Sequence, residues 1–388
     1  MPGPLDGVRV VELAAIGPAP FAGMLLSDLG AEVINVGRLD GGAGGMTAAA
    51  HRVLLRGRRF VHLDLRHPAG VEVVEDLARS ADVLTEGYRP GVVERLGIGP
   101  DELLAVNPRL VYGRMTGWGQ DGPRAEQAGH DLGYLALSGA LAPSVGDGGR
   151  PIAPLNMLGD FGGGGMLLAV GVLSALFSTQ QTGEGQVVDA SILDGAALLT
   201  AMHQSMLASG MWQQPPGGNL FDGGAPFYRV YRTADDKWLS VSAIEPKFYA
   251  TLLDGLGVDA AAADQYDQSH WSELRVTIAT RIASRARDDW VDIFAGRDAC
   301  VVPVLDPDEA AADPHVIARE VYADRGGIRH PAPAPRFSET PTELPDASPD
   351  DETADVLGEF GYTHADIRRL AEAGVIAADT GNDHPHRE

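Results

Sequence analysis

Cysteine is almost missing from this chain: Cys300 stands alone among 388 residues. No disulfide framework can form, which fits a reducing compartment, and a cytoplasmic protein is expected. Basic residues are also scarce. Thirty Lys and Arg face 54 Asp and Glu, for a net charge of -24. That field disfavours generic binding to nucleic acid or to an anionic membrane. The longest apolar run, residues 166–177, is shorter than the ~18–20 residues a membrane span needs. No signal-peptide pattern precedes the first strand-like segment, so a soluble protein is expected. The P-loop, the H-E-x-x-H metal pattern and the G-x-S-x-G nucleophile elbow are absent, and no metal site is expected. A dinucleotide fingerprint exists in letters only. Gly117-Trp118-Gly119-Gln120-Asp121-Gly122 follows a strand-like stretch, but Pro123 comes next. The acidic residue required about 20 positions on is also missing, so the segment reads as a glycine turn.

What is present is a globular chain, 44% hydrophobic, long enough for two domains with real cores. Its first third alternates strand and helix signals. Strands are predicted at 8–13, 32–36, 60–65, 83–86 and 110–114, with helices at 20–29, 68–79 and 100–106. That alternation predicts an α/β fold with a parallel sheet covered by helices, its ligands at the carboxyl ends of the strands. Arg38, Arg66, Arg89 and Arg114 fall at or just beyond such ends. After a glycine- and proline-rich stretch the pattern changes to two strands and three helices, an α+β arrangement. The expected organisation is a large α/β domain beginning with residues 1–200 and a linker at 201–226. A small α+β domain follows at 227–305. Residues 306–376 return and pack on the large domain, and 377–388 form a disordered tail.

Two phrases carry chemistry. Gly129-His130-Asp131 supplies an imidazole, and Gly159-Asp160-Phe161-Gly162-Gly163-Gly164-Gly165 supplies a carboxylate and a run of glycines. A carbon acid that loses a proton on one face and regains it on the other needs two such groups, one neutral while the other holds the proton. The glycines are expected to let backbone approach a ligand, and the apolar run after them reads as a buried helix whose N-terminus suits negative charge. Taken singly, His130 also reads as a structural histidine and Asp160 as a helix cap. Glu245, before Pro246, reads as a cap as well.

Taken together, the phrases point to a family. Gly7-Val8-Arg9-Val10-Val11-Glu12-Leu13, Asp28-Leu29-Gly30-Ala31-Glu32-Val33, Glu86-Gly87-Tyr88-Arg89-Pro90-Gly91, Met115-Thr116-Gly117-Trp118-Gly119-Gln120, Ala243-Ile244-Glu245-Pro246 and Asp298-Ala299-Cys300-Val301-Val302-Pro303 join the two above. From about residue 7 to 337 the chain resembles the α-methylacyl-CoA racemases of the class III CoA-transferase (CaiB/BaiF) superfamily. The resemblance implies a doubly wound, Rossmann-like large domain, a small α+β domain and a homodimer of interlocked chains. The active site then lies between the large domain of one chain and the small domain of the other. It implies His130 and Asp160 as the acid/base pair, with Glu245 hydrogen-bonded to His130. It places contacts to the CoA of the substrate at Arg38, at Leu63, Asp64, Leu65 and Arg66, at Gly87, Tyr88 and Arg89, at Arg95, and at Gly129, Asp131, Leu132, Gly133 and Tyr134. Guanidinium groups suit the phosphates of CoA. The glycine- and alanine-rich segment 37–51 reads as a flap over the CoA.

The activity this implies is a 1,1-proton transfer on a 2-methylacyl-CoA thioester through an enolate, interconverting the 2R and 2S forms. No cofactor is expected, because the CoA belongs to the substrate and the thioester acidifies the carbon. Partners are the acyl-CoA and a second copy of the chain, with no nucleic acid and no membrane. A backbone N–H near Asp131 is expected to meet the enolate oxygen. Ile16, Tyr134, Leu220 and Tyr228 are candidates to line an acyl pocket. Two alternatives stay open: a class III CoA transferase with Asp160 as nucleophile, and a catalytically silent acyl-CoA-binding protein. Ordinary pKa values of ~6.5 for His and ~3.9 for Asp favour imidazolium with carboxylate. Burial of Asp160 would narrow that gap, whereas a helix N-terminus or Glu245 beside the imidazole would widen it.

Overall fold

The computed structural model describes residues 3–39, 51–146, 149–259, 265–346 and 351–377. Residues 40–50 of the expected flap and 378–388 of the expected tail lie outside them. The chain divides into two compact units. One comprises residues 1–138, 155–199 and 322–388, and the other 139–154 and 200–321.

The first unit is built on six parallel strands: β1 (Arg9–Leu13), β2 (Glu32–Gly37), β3 (Arg58–His62), β4 (Val83–Glu86), β5 (Val111–Thr116) and β6 (Gln186–Ser191). Their order across the sheet is β3-β2-β1-β4-β5-β6. It reverses between β1 and β4, which makes that gap the switch point of a doubly wound sheet. Successive side chains point to opposite faces of a strand, and the core follows that rule. Val11, Ile34, Leu84 and Tyr112 join one apolar cluster, while Val10, Val33, Val83 and Val111 join another.

Helices α1 (Pro18–Asp28), α2 (Pro68–Arg79), α3 (Val92–Leu96), α4 (Pro100–Val106) and α5 (Asp131–Ser138) cover the sheet with α6 (Met166–Thr182) and α7 (Ile192–Leu199). Val73, Val74 and Leu77 of α2 and Leu103 of α4 fill the first cluster; Ala22 and Leu26 of α1 and Leu168 and Val172 of α6 fill the second. The sharp helix starts have a local cause. Proline stands in the first turn of α1, α2 and α4, where it forfeits no hydrogen bond, and the His67 side chain caps α2 by accepting from the Ala69 N–H. The C-terminal segment returns to this unit, with Val356, Leu357, Val375 and Ile376 buried in the first cluster.

Charge is buried here too, against the ordinary expectation for strand residues. Arg58 and Glu12 pair at 2.9 Å with both side chains fully buried. Asn35 donates to the same carboxylate, and Arg58 also donates to the Pro20 carbonyl of α1. A Cβ on Gly23 would sit 1.9 Å from Glu12 Oε2, so α1 needs glycine where it crosses this pair.

The second unit contains α8 (Ala201–Ala208) and an antiparallel sheet of β7 (Tyr228–Arg232), β8 (Trp238–Ser242) and β9 (Val301–Val304). Helices α9 (Pro246–Leu256), α10 (Gln268–Ile282) and α11 (Arg287–Phe294) pack around Phe227, Trp271 and Trp290, and two short helices follow at Pro307–Ala312 and Pro314–Ala318. Its limits differ from the sequence-based ones. The expected linker 201–226 contains α8 and a loop in which Asp222 accepts from the backbone of Gly217, Asn219 and Gly224. Residues 139–154 and 306–321 also belong here. Proline and glycine mark turns locally, but long-range contacts decide which unit a turn joins.

The apolar run is also longer in the fold than it reads in sequence. A short 3-10 turn, a π-helical segment and α6 continue one another over Leu155–Thr182, 28 residues that include an 18-residue stretch of mean hydropathy 1.7. By length and composition alone that rod could cross a membrane, so the expected shortfall does not hold. In this fold it lies against α1, α7, β5 and β6.

Candidate active site

A cavity of about 440 Å³ opens at the carboxyl ends of the central strands of the first unit. Ile16, Gly17 and Pro18 follow β1, Gly87 to Pro90 follow β4, and Thr116 ends β5 with Gly117 and Trp118 just beyond it. The site thus lies at the topological switch point, where backbone diverges and leaves a crevice. His130 and Asp160 both line it, 30 positions apart in sequence, with Gly129, Tyr134, Asn156 and His51. The Gly117 fingerprint segment forms the turn expected of it, with Gly119 and Gly122 at φ 101° and 90°.

His130 precedes α5, and its carbonyl accepts from the Gly133 and Tyr134 N–H groups at 2.8 and 3.3 Å. Asp131 therefore opens the helix as expected, where its N–H has no acceptor within α5. Asp160 sits in the first turn of the π-helical segment Leu158–Gly165. The glycines after it have a different role from the one their sequence implied. Beta carbons on Gly163 and Gly164 would meet Ala196 N at 2.8 Å and Pro18 Cβ at 3.0 Å. On Gly165 one would meet the Pro18 carbonyl at 2.7 Å, and on Gly195 one would meet the Gly163 carbonyl at 1.8 Å. These glycines seat the segment against α7 and α1. They hold Asp160 at the cavity by close helix packing rather than by cradling a ligand.

Burial is the leading influence on Asp160 and raises its carboxyl above the ordinary range; the negative charge of Asp131 adds to this. The Asn156 amide, 3.4 Å from Oδ2, and the charge of His130 act in the opposite direction. The net effect is a carboxyl raised above its ordinary range, as a group that must both give and take a proton requires. Tyr134, packed edge-on against Trp118, has its phenol raised by burial and by Asp160. Sequence reasoning missed His51 and Asn156. His51 Nε2 accepts from the Gly17 N–H at 3.2 Å, and no pattern marks it. Asn156 stands one helical turn before Asp160, the only signal it gives.

A second cavity of about 450 Å³ lies at the ends of β2 and β3, lined by Arg38, Leu39, Leu63, Asp64, Leu65, Arg66, Tyr88 and Leu96. Tyr88 lines both cavities, so one extended ligand could occupy the pair. Arg38, the Leu63 to Arg66 segment and Tyr88 thus gather in one place, and Gly87, Arg89, Gly129 and Tyr134 in the other. Arg66 is largely exposed and pairs with Asp64 at 3.0 Å. Arg95, Asp131, Leu132 and Gly133 line neither cavity, and all but the half-buried Asp131 are exposed on α3 and α5. Among the described residues no group of three or more His, Cys, Asp and Glu side chains could hold a metal ion. Of the acyl-pocket candidates, Ile16 and Tyr134 line the His130 cavity. Leu220 and Tyr228 pack against the core of the second unit.

Glu245 belongs to the second unit. It occupies the N-cap position of α9, but its side chain makes no capping bond and is exposed. The cap function read from its place before Pro246 is therefore not the one it performs.

The sequence profile of CoA-transferase family III matches residues 5–353. The alpha-methylacyl-CoA racemase of Mus musculus is 43% identical over 381 residues, covering 97% of this chain and 98% of its own. The Homo sapiens protein of the same name is 40% identical over 382 residues, with the same coverage. A crystal structure of a CAIB/BAIF family protein from Brucella suis matches with a TM-score of 0.81 at 27% identity, covering 93% of this chain and 100% of that one.

Proposed function

The chain belongs to CoA-transferase family III, and from that premise we propose that it is a racemase of 2-methylacyl-CoA thioesters. The observation that carries the proposal is the pairing in one cavity of His130 with an Asp160 whose carboxyl is raised by burial. The two mammalian relatives named alpha-methylacyl-CoA racemase support it. One group removes the α-proton, the thioester holds the charge as an enolate, and the other group returns a proton to the opposite face. Because the pair shares a single proton, each group is ready for the opposite direction once it has acted. We assign stabilisation of the enolate oxygen to the Asp131 N–H, which has no acceptor inside α5. CoA enters as the handle of the substrate, its nucleotide end toward Arg38 and its thioester toward His130. The proton chemistry itself calls for no further cofactor.

The proposal includes a homodimer in which Glu245 of one chain meets His130 of the other. Its support is the apolar side chains left exposed on the first unit, among them Phe177 of α6 at 63% and Leu198 of α7 at 64%; exposed apolar surface commonly marks interfaces. We place the enzyme in the cytoplasm, in keeping with its lone cysteine.

The rival within the family is CoA transfer through an acylated Asp160. Incubation with an acyl-CoA and a free carboxylic acid distinguishes the two. The racemase should leave CoA on its original acyl group and leave Asp160 unlabelled by hydroxylamine. Efficient exchange of CoA into the acceptor, with Asp160 trapped, would reject the proposal.

A further inference from the structure

His130 and Asp160 reach the cavity from separate segments, and two-base chemistry tolerates little error in their spacing. A single side chain spans that separation. Asp131, the next residue after His130, turns its carboxylate to the other segment and accepts the backbone N–H of Asp160 at 2.7 Å. The approach is built in on both sides. Asp131 is held as the first residue of α5 by the two bonds to the His130 carbonyl. Opposite it, Gly159 leaves the space: a Cβ there would lie 2.2 Å from Asp131 Oδ1 and 3.2 Å from Leu135 Cγ. A charged acceptor on a backbone amide makes a strong bond, and it fixes the peptide from which the Asp160 side chain departs.

We propose that Asp131 is a positioning residue that locks the His130 loop to the Asp160 helix and so sets the spacing of the acid/base pair. The inference rests on the racemase reading for its kinetic consequence, but its geometry stands independently. Asp131 also contributes a charge. The ionisable groups around Asp160 are His130, Asp131 and Tyr134 from α5 and the loop before it, with His51 and Arg89 across the cavity. Of these, Asp131 is the anion that raises the Asp160 carboxyl.

The test compares Asp131→Ala, which loses both acceptor and charge, with Asp131→Asn, which keeps the acceptor oxygen. Asp131→Ala should lower kcat by about 100-fold, the effect of a ~1 Å misplacement, with KM for the thioester within about twofold of wild type. Asp131→Asn should recover most of that loss, and the acid limb of its kcat/KM profile should move to lower pH. A purely structural residue would not produce that movement. Equal losses in both variants with an unmoved acid limb would overturn the proposal, as would wild-type kinetics in both. Carbon-13 NMR titration of the Asp160 carboxyl separates this outcome from failure of the racemase reading, because it needs no turnover. In Asp131→Asn that carboxyl should titrate at lower pH than in wild type. An unchanged titration refutes the assignment whatever reaction the protein catalyses, and it decides the matter if Asp131→Ala does not fold.

Discussion

Replacement of Gly195 by alanine tests whether the glycines after Asp160 form a packing seam. Gly195 lies on α7, outside the residues that line the cavity. A Cβ there would sit 1.8 Å from the Gly163 carbonyl oxygen, roughly 1.6 Å short of the 3.4 Å at which ordinary contact begins. Both neighbours at that point are backbone, so no side chain can rotate away. The π-helical segment must shift relative to α7. Overpacking of this kind costs ~1–3 kcal/mol, and the backbone clash argues for the upper end. Asp160 stands three positions before Gly163, so a displacement of ~1 Å carries it out of register and should cost about 100-fold in kcat. KM should move by no more than about twofold, because the arginine-lined cavity lies elsewhere on the sheet. Gly162→Ala is the control. Its Cβ would meet the Met157 carbonyl at 3.2 Å, a few tenths short of ordinary contact, so urea unfolding and kcat should stay close to wild type. If Gly195→Ala matches Gly162→Ala in unfolding midpoint and kcat, the seam does not position the carboxylate.

Three further outcomes follow from the geometry. The Asp160 carboxyl titrates higher in the fold than in the unfolded chain, so stability falls as pH rises through its folded pKa, and above that pH the full penalty applies. Asp160→Asn should therefore unfold at a higher temperature than wild type at pH 8 while losing racemisation. The difference should vanish below the ordinary carboxylate range, and a variant less stable at pH 8 contradicts the electrostatic account. Arg58→Ala leaves Glu12 buried without its cation and should cost ~3–5 kcal/mol in urea unfolding; a loss under 1 kcal/mol would show that the charge finds another partner. Under the proposed homodimer, purified heterodimers of His130→Ala with Glu245→Ala should regain up to about half of wild-type activity, because one of the two shared sites would carry neither lesion. Activity no higher than in the parent homodimers would deny the shared site.

Elements with hard chemical boundaries were legible in the sequence. Proline in the first turn and a clear apolar stripe gave α2 and α4, and a short β-branched run gave β4, with the bounds the structure shows. The strand β6 was missed because Gln186–Ser191 mixes polar and apolar residues with no clean alternation, and its first two residues are exposed. The π-helical segment was missed because consecutive glycines carry no helical signal. Only their close contact with α7 and α1 explains them, and that contact joins residues far apart in sequence. That His130 and Asp160 belong to one site could be anticipated from their phrases together with the family resemblance, and both line one cavity. The grip of Asp131 on Asp160 could not, since adjacency to His130 says nothing about a bond made 29 positions away. Buried Arg58 and Glu12 were hidden for a similar reason: a charged residue in a strand reads as solvent-facing until its partner is placed.

The central claim is proton exchange at the carbon next to the thioester. A single-enantiomer 2-methylacyl-CoA incubated with the enzyme in deuterated water tests it, with optical purity and α-deuterium followed in the same sample. The account predicts loss of optical purity together with deuterium at carbon 2, and neither change in Asp160→Ala. Retention of configuration with no deuterium incorporated, at substrate concentrations that saturate the protein, would contradict it.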